Sequence, residues 1–491
     1  MLDLPDLQLG ALLPEIILAL GATLVLLLEP WASRRQSHLP AVLGLLLVAL
    51  AAVAMRGASA VVGGDDGTGM MAIDGLTQFF RGLVLAVTAI VLLMAPEYAR
   101  RFRIASAEFY ALILFAATGA MLMASADNLV VLFLGLEVHS ISLYVLAGAR
   151  HDQIASEESA LKYLLLGAFA SAFLLYGIAL LYGATGSTGL ADIATALRAG
   201  GRLPDSVLLA GIVLVIVGLG FKIAAVPFHM WTPDVYEGAP TVITALMTVI
   251  PKAGAFAALL RLFLVGLAPA IDSWQPVWVV LAILTMTVGN VLALNQEGIK
   301  RLLAYSSIAH AGYLLVGLVP GTALGGAGIL YYLVAYALMN LGAFAVIILF
   351  ERRDRAMGIG DYAGLAARHP LLAGALALFM FSLAGIPPTA GFMGKLYIFK
   401  AAVDAGHVGL AIIAVLNSVV AVYYYLRVVV AVYMESPDAE TPGAPGVSAG
   451  ETRTDLGTGL AILASAAGTL AFGLFPALVY DLARAGVVVL G

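Results

Sequence analysis

Long apolar stretches separated by short polar segments recur along the whole chain. Most stretches contain about 17–25 residues, which is enough for an α-helix to cross the roughly 30 Å hydrocarbon core of a bilayer. They predict an all-α polytopic membrane protein with 14 transmembrane helices, at residues 11–29, 39–55, 76–95, 108–125, 128–148, 159–182, 206–226, 240–264, 276–294, 302–319, 328–350, 371–402, 408–434 and 456–480. A shorter helix near 190–199 is expected at the membrane surface.

The remaining polar segments leave no room for a soluble domain. The longest of them, 435–455, is rich in proline, glycine and acidic residues and predicts a flexible loop. The segment before the first apolar stretch, Met1 to Asp6, is acidic and lacks the positive region of a signal peptide. The first stretch is therefore expected to remain as a helix.

Two of the predicted helices contain breaks, at Phe221–His229 and at Leu383–Lys395. Proline inside a spanning helix removes a backbone hydrogen bond, and irregular backbone is stable in a membrane only where it lines a polar cavity. Breaks at corresponding positions of two halves predict an internal repeat of the transporter kind, with helices 4–8 and 9–13 as the two copies. Because each copy has five spans, the second is inverted. The predicted organisation is helices 1–3 at 1–107, the first repeat at 108–264, the second repeat at 276–434 and a C-terminal helix at 456–480.

Composition agrees with this class and excludes several others. Hydrophobic residues make up 62% of the chain and charged residues 11%, against roughly 25% charged in soluble domains. The net charge of -5 forms no basic patch, so nucleic-acid binding has no support. Cysteine is absent, which excludes disulfides and iron–sulfur ligation. Neither a dinucleotide nor a Walker motif occurs, and the histidines lack metal-ligand spacing, so we expect no redox site, cofactor or metal in this chain.

The basic residues predict the orientation of the chain. One set of alternating loops holds thirteen of them: Arg34, Arg35, Arg100, Arg101, Arg103, Arg150, Lys300, Arg301, Arg352, Arg353, Arg355, Arg368 and Arg453. The other side holds four: Arg56, Arg198, Arg202 and Arg484. Because basic residues concentrate on the cytoplasmic side, both termini are expected outside the cytoplasm.

Lysine and arginine occupy different places. Arginine is common in the predicted loops, and only one lysine, Lys300, is assigned to a plain loop at 295–301. The five other lysines lie in or at the ends of apolar stretches: Lys162, Lys222, Lys252, Lys395 and Lys400. A charge inside hydrocarbon costs roughly 3 kcal/mol or more and usually marks an ion or proton pathway. Buried lysine can release its proton whereas arginine cannot, so the pattern predicts proton movement.

Glu137 is the acidic candidate of this pathway. It lies in the middle of a predicted helix, and Ser140 and Tyr144 follow on the same helical stripe. A buried carboxylate needs a nearby cation, and Lys222 at the first break is its natural partner. The alternative is an ion pair that serves packing alone. His139 faces elsewhere and is expected to make a local hydrogen bond.

The other lysines differ in how strongly they predict a relay. Lys252 follows Pro251 and has no acidic residue in its helix, which favours a neutral, proton-exchanging site over snorkelling to the interface. Lys395 lies deeper than Lys400 and takes the functional assignment, while Lys400 either relays or snorkels. Lys162 closely follows two glutamates, so a relay and a local ion pair remain equally open.

Two histidines are possible bridges between the lysines. His229 follows the first break, and His310 lies among hydroxyl residues of helix 10. Histidine titrates near neutral pH and can connect lysines that are too far apart for direct transfer. Structural capping is the alternative for both. The remaining aromatic residues, Tyr423–Tyr425 included, are assigned to the core or to lipid.

Several of these segments resemble the antiporter-like membrane subunits of respiratory complex I, the bacterial NADH-quinone oxidoreductase. They are Leu134–Glu137, Ser142–Gly148, Glu158–Tyr163, Phe221–Pro240, Lys300–Ser307 and Gly385–Lys395. The run Phe221–Pro240 is the most specific. Lysine at position 395 favours the subunit N pattern over that of subunit M, which has glutamate there.

The resemblance implies a fourteen-helix fold with a proton channel along a central polar axis. The family's functional residues map to Glu137, Lys222, Lys252 and Lys395, and its helix 6 lysine to Lys162; His139 departs from the pattern. It also implies neighbours of the subunit M and subunit K type in a bacterial plasma membrane. Flavin and iron–sulfur clusters would belong to other subunits, and quinone would be the substrate of the complex. The alternative is a subunit of a multi-subunit sodium/proton antiporter, which would need several membrane oxygen ligands where only Glu137 is predicted.

Overall fold

The computed structural model describes residues 10–27, 38–58, 70–104, 106–201, 205–351, 357–435 and 454–488. Some of the sequence predictions fall outside these residues. They are those for the segment Met1 to Asp6, for most of the loop 435–455, and for Arg34, Arg35, Arg202, Arg352, Arg353, Arg355 and Arg453.

The described residues form nineteen α-helices. They are α1 (Leu13–Leu27), α2 (His38–Ala58), α3 (Gly75–Phe102), α4 (Ala107–Ser125), α5 (Leu129–Ala147), α6 (Ile154–Thr185), α7 (Leu190–Arg198), α8 (Asp205–Lys222), α9 (Trp231–Gly238), α10 (Thr241–Arg261), α11 (Ile271–Ala293), α12 (Ile299–Leu318), α13 (Ala323–Phe350), α14 (Leu365–Arg368), α15 (Pro370–Ala384), α16 (Ala390–Asp404), α17 (Val408–Met434), α18 (Leu456–Leu474) and α19 (Ala477–Gly486). A π-helical turn, Leu262–Gly266, extends α10, and short 3-10 turns lie at Ala268–Ala270 and Ile359–Tyr362. Within the described ranges, eleven helical segments are long and apolar enough to cross a membrane. The chain is an all-helical membrane protein.

Hydrogen-bonding side chains fix where several of these helices begin. The first turn of a helix leaves backbone N–H groups without partners inside the helix, and Ser, Thr, Asp and Asn side chains accept from them. Such caps start α3 at Asp74, α4 at Ser106, α5 at Asn128, α13 at Thr322 and α18 at Asp455.

Three predicted spans run through a segment that is not helical, whereas the third is seven residues too short because α3 continues to Phe102. The seventh ends at Lys222 instead of residue 226, since the apolar residues that follow are not helical. The twelfth is two helices, α15 and α16, separated at the predicted break. The last ends at Leu474, and Pro476 separates it from α19. Hydropathy detected the apolar segment in each case but not the end of the helical backbone.

Lys300 was wrongly assigned to a loop. It is the second residue of α12 and is buried. Its ammonium donates to the carbonyl oxygens of Glu237, at 2.9 Å, and Ala239, at 2.8 Å, which lie at the end of α9. A cation is stabilised at the carbonyl end of a helix, so Lys300 joins α12 to α9.

The interior of the molecule is built around α10 and α13. Every residue of α10 is buried, and α13 is buried over most of its length. Neighbouring helices approach closely where glycines face each other, as at Gly119 of α4 and Gly135 of α5, where an added Cβ would collide with backbone. Polar side chains on α10, α12 and α13 therefore face protein instead of lipid.

Two buried arginines lie within predicted spans, so arginine is not confined to the loops where it is common. Arg81 of α3 pairs with Glu15 of α1, with 2.7 Å between Nε and Oε1. Arg261 at the end of α10 pairs with Asp74, with 2.6 Å between Nη2 and Oδ1. Removing one partner of such a buried pair typically costs about 3–5 kcal/mol. These pairs tie the N-terminal helices to the interior, and they lie apart from the lysines described next.

Candidate functional site

Lys222 lies at the carboxyl end of α8, directly before the non-helical segment 223–230. Its side chain is buried, and Nζ donates to the Ser140 hydroxyl at 2.7 Å and to the Tyr144 hydroxyl at 3.0 Å. Both hydroxyls belong to α5 and follow Glu137 by three and seven residues, as the predicted polar stripe required. The stripe therefore faces Lys222.

Glu137 does not form the direct ion pair that the sequence suggested. Within the described chain, its carboxylate is not within ion-pair distance of any lysine or arginine, and its Oε1 is buried without a hydrogen-bond partner. The carboxylate lies on the face of α5 that meets Lys222, one helical turn from the Ser140 hydroxyl. The hydroxyls of Ser140 and Tyr144 take the places next to the ammonium.

His139 makes the local hydrogen bond that was expected of it. The ring lies on α5 with Nδ1 at 2.9 Å from the carbonyl oxygen of Ala116 in α4. This contact holds the two closely packed helices together and directs the imidazole away from the stripe of Ser140 and Tyr144. The predicted local role is confirmed.

Lys252 lies on α10, one residue after Pro251, and its residue is only 1% exposed. Its Nζ donates to the backbone oxygen of Ser307 at 2.7 Å, to the Ser307 hydroxyl, and to the Tyr336 hydroxyl at 3.3 Å. This burial excludes snorkelling. All three acceptors are uncharged groups.

Lys395 and Lys400 of α16 occupy opposite environments. Lys395 is 4% exposed and donates to the carbonyl oxygens of Leu383, at 3.2 Å, and Ala384, at 3.0 Å, and to the Ser418 hydroxyl at 2.8 Å. The two carbonyls end α15 and lost their helical partners at the break. The Lys400 side chain is 60% exposed and pairs with Asp404. The assignment of Lys395 as the deeper lysine is confirmed.

His310 lies between the surroundings of Lys252 and Lys395. Its Nδ1 is 2.6 Å from the Tyr332 hydroxyl, and its Nε2 is 3.0 Å from the Tyr425 hydroxyl. Its ring centroid is 5.1 Å from that of Tyr336, which also contacts Lys252. On the other side the centroids of His310 and Tyr313 are 5.7 Å apart, and the Lys395 ammonium lies 4.7 Å from the Tyr313 centroid.

These four tyrosines, Tyr313, Tyr332, Tyr336 and Tyr425, form a tyrosine cluster around His310, which sequence reasoning missed. Tyr425 was assigned to core or lipid, but its hydroxyl also contacts Ser306. Tyr424 is buried too and donates to Asn290 at 2.9 Å, whereas Tyr423, 62% exposed, is the one that faces outwards. The available signal was the helical spacing of Ser306, His310 and Tyr313 on α12.

Lys162 and His229 are not brought into this interior. The Lys162 side chain is 40% exposed and pairs with Glu158 at 2.6 Å and Asp234 at 2.8 Å, and Arg301 also reaches Asp234, at 3.1 Å. His229 is half-buried between α8 and α9. In the described part of the chain, no hydrogen bond connects its ring to Lys222 or Lys252.

The partners of the interior lysines suit proton exchange. A hydroxyl can accept a hydrogen bond from an ammonium and can donate one to a neutral amine, whereas a carboxylate only accepts. Lys222, Lys252 and Lys395 each contact at least one hydroxyl. Both protonation states of each lysine therefore find hydrogen-bond partners in the same arrangement. Among the described residues there is also no group of three or more histidine, aspartate or glutamate side chains able to hold a metal ion.

Comparison with known proteins places the chain in a family. Residues 126–421 match the model of the family described as "NADH:quinone oxidoreductase/Mrp antiporter, TM". The chain is 47% identical over 484 residues to NADH-quinone oxidoreductase subunit N of Trichlorobacter lovleyi, covering 98% of this chain and 97% of the relative. Subunit N of Chloroflexus aggregans is 42% identical, with 100% and 99% covered.

Solved structures agree with the sequence comparison. A chain of respiratory complex I from Thermus thermophilus with bound aureothin matches with a TM-score of 0.79 and 38% identity, over 96% of this chain and 99% of that one. A chain of the Mrp complex from Dietzia matches with a TM-score of 0.82 and 24% identity, over 99% and 98%, and shows a shared fold. The chain therefore belongs to the family of NADH:quinone oxidoreductase and Mrp antiporter membrane subunits.

Proposed function

We propose that this chain is a proton-translocating membrane subunit of an NADH-quinone oxidoreductase. The observation that carries the proposal is the row of buried lysines with hydroxyl partners, Lys222, Lys252 and Lys395, with His310 between the last two. Charged side chains inside a membrane protein are costly and typically mark proton relays. The relatives named above are subunits of such an oxidoreductase.

The proposed path runs from Glu137 and Lys222 through Lys252 and His310 to Lys395. The tyrosine cluster connects its second half, because Tyr336 contacts Lys252 and the rings of Tyr313 and Tyr336 flank His310. We assign local roles to the exposed Lys162 and Lys400, which are held in ion pairs, and leave His229 outside the path.

The redox chemistry belongs to the assembly in this proposal. NADH oxidation, flavin and iron–sulfur clusters lie on other subunits, and quinone is reduced away from this chain. The chain contributes buried groups that take up and release protons as their electrostatic surroundings change. Neighbours of the subunit M and subunit K type are the proposed partners within a bacterial plasma membrane.

For the architecture we propose 14 spans, two inverted five-helix repeats at 108–264 and 276–434, and both termini outside the cytoplasm. The breaks support the repeat, since each separates a pair of helices, α8 from α9 and α15 from α16. A buried lysine also accompanies each break: Lys222 is the last residue of α8, and Lys395 of α16 reaches back to the carbonyl oxygen of Ala384 at the end of α15. In this reading α15 and α16 together make the twelfth span.

A sodium/proton antiporter subunit is the second candidate, and the similarity to the Dietzia Mrp chain favours it at the level of fold alone. A shared fold does not establish a shared function. The relatives above 40% identity are named for the oxidoreductase, which favours the first candidate.

Co-purification from the native membrane separates the two candidates. An affinity-tagged chain is expected to bring down hydrophilic subunits that carry flavin and oxidise NADH with quinone as acceptor. The purified assembly, reconstituted in liposomes, should acidify the lumen on addition of NADH. Recovery of only membrane subunits that exchange sodium for protons without NADH would contradict the proposal.

A further inference from the structure

A cavity of about 720 Å³ lies away from the lysine row, between α2, α3, α13, α18 and α19. Its walls are almost entirely apolar and include Gly82, Ile90, Leu338 and Phe472. Its volume lies within the range of roughly 300–1,000 Å³ that is usual for small-molecule sites. In a membrane protein such a space is adjacent to acyl chains instead of water.

The length of the cavity matches one leaflet of a bilayer. Its lining on α3 extends from Gly75 to Ile90, and the twelve helical steps from Gln78 to Ile90 correspond to about 18 Å. Half of the hydrocarbon core is roughly 15 Å thick. The cavity therefore accommodates an extended acyl chain over the full depth of a leaflet.

One end of the cavity is polar. Gln78 lines it within the first turn of α3, and both of its side-chain amide atoms are buried without a hydrogen-bond partner in the described chain. Such buried amide groups normally find partners. The carbonyl oxygen of a lipid ester is a suitable acceptor for the Gln78 amide, since it lies at the head of the acyl chain.

An exposed arginine precedes the helix end that meets this part of the cavity. The last residues of α19, Ala485 and Gly486, line the cavity next to Gly75, and the preceding Arg484 is exposed. α19 buries Val479 and Ala483 and exposes Asp481 and Arg484, which is the pattern of a helix lying in the membrane interface. Arg484 lies on the polar face of α19, turned away from the lining residues Leu482 and Gly486, so its long side chain meets a lipid phosphate at the level of the headgroups above the cavity.

We propose that this cavity binds one anionic phospholipid, with an acyl chain along α3, an ester at Gln78 and the phosphate at Arg484. The proposal does not depend on proton translocation. A quinone would offer a similar chain and carbonyl groups but no phosphate for Arg484.

Photocrosslinking in nanodiscs tests the proposal. A photoreactive phenylalanine is placed at Ala86, which lines the cavity, or at Val419, which is exposed on α17. Each is the twelfth residue of its helix, so the two positions are matched in depth along the helix. The purified complex is reconstituted with a minority of phosphatidylglycerol in phosphatidylcholine, and the crosslinked lipids are identified by mass spectrometry.

The position at Ala86 is expected to capture phosphatidylglycerol about fivefold more often than the position at Val419, which corresponds to one basic residue near the surface. R484A should remove this enrichment, and G82F, which fills the cavity, should remove the crosslink itself. Equal lipid ratios at the two positions, or quinone as the captured molecule, would overturn the proposal. Should G82F prevent assembly, the R484A comparison decides the outcome alone.

Discussion

The acceptors around Lys252 determine what this lysine can do. Its ammonium meets one carbonyl and two hydroxyls, from Ser307 and Tyr336, and no carboxylate in the described chain lies within ion-pair distance. Because the Tyr336 hydroxyl can reverse its hydrogen bond, a neutral amine is also accommodated. A lysine locked to a carboxylate would stay charged and would not exchange protons readily.

Substituting arginine for Lys252 tests whether pumping needs only a positive charge at this position or also a group that can release a proton. Arginine keeps the positive charge, but with a pKa above about 12 it cannot release a proton. Both K252R and K252A are therefore expected to lower NADH-driven proton pumping in proteoliposomes at least tenfold, corresponding to about 1.4 kcal/mol. K400R on the exposed side of α16 is the matched control and should pump normally. Wild-type pumping by K252R together with an inactive K252A would make Lys252 an electrostatic element and not a proton carrier.

Removal of the Glu137 carboxylate tests the first half of the path. Glu137 shares the α5 stripe with Ser140 and Tyr144, which bind the Lys222 ammonium, so E137A removes a negative charge from the helix face that meets this lysine. We expect quinone-linked pumping to fall sharply in a complex that still assembles. E108A removes an exposed carboxylate at the start of α4 and should have no effect. Unchanged pumping by an assembled E137A complex would take Glu137 out of the mechanism.

The sequence predicts a functional residue when that residue is charged and its neighbours in the chain are apolar. Lys252 and Lys395 were visible as charges in hydrophobic runs, and their burial follows. The tyrosine cluster was not visible, because α12, α13 and α17 contribute its members from distant parts of the chain. A tyrosine in an apolar helix fits core, lipid and relay equally well, and only tertiary packing distinguishes them.

At the scale of elements, the two helix breaks organise the site. The first segment, Ile223–Val226, is apolar and buried, but its backbone is not helical, so other groups must satisfy it. The Thr285 hydroxyl accepts from the N–H of Val226 at 3.0 Å, and the Trp231 indole donates to the oxygen of Phe221 at 3.1 Å. Hydropathy cannot detect such a segment, and for this reason the predicted seventh span ran past Lys222.

The second break gives Lys395 a structural role beside its proposed proton role, and the two roles can be separated. Loss of the ammonium in K395A leaves carbonyls at the end of α15 without partners, at a cost of about 1–3 kcal/mol. We expect K395A to lower both the thermal stability of the complex and its pumping. K395R should retain most of the stability because it still donates hydrogen bonds, yet it should not pump.

The control for this comparison is K400A, on the exposed side of the same helix, α16. Lys400 is exposed and pairs with Asp404 on the same helix, and such surface pairs contribute only about 0–1 kcal/mol. K400A is expected to match the wild type in thermal stability and in pumping. If K395R pumps at the wild-type rate, Lys395 serves the break alone and the exit of the path lies elsewhere.

At the scale of the whole molecule, the sequence predicts the fold class but not the contacts between distant parts of the chain. Apolar length and composition gave an all-helical membrane protein, since these properties depend only on the transfer of side chains into hydrocarbon. The buried pairs Arg81–Glu15 and Arg261–Asp74 were not predicted, because each joins residues far apart in the chain. The fold also cannot separate the two candidate functions, as the similarity to the Dietzia Mrp chain illustrates.

The absence of cysteine makes the proposed topology directly testable, since single cysteines can be introduced without a background. H151C precedes α6, R198C ends α7, and R484C lies near the end of α19; all three residues are exposed. Because α6 crosses the membrane between the first two positions, they should react with an impermeant maleimide from opposite faces. The even number of spans proposed between Arg198 and Arg484 places these two on the same face. We expect R198C and R484C to react in right-side-out vesicles and H151C only in inverted ones. Labelling of R484C together with H151C would mean that the number of spans after α7 is odd, so that α15 and α16 do not form one span together.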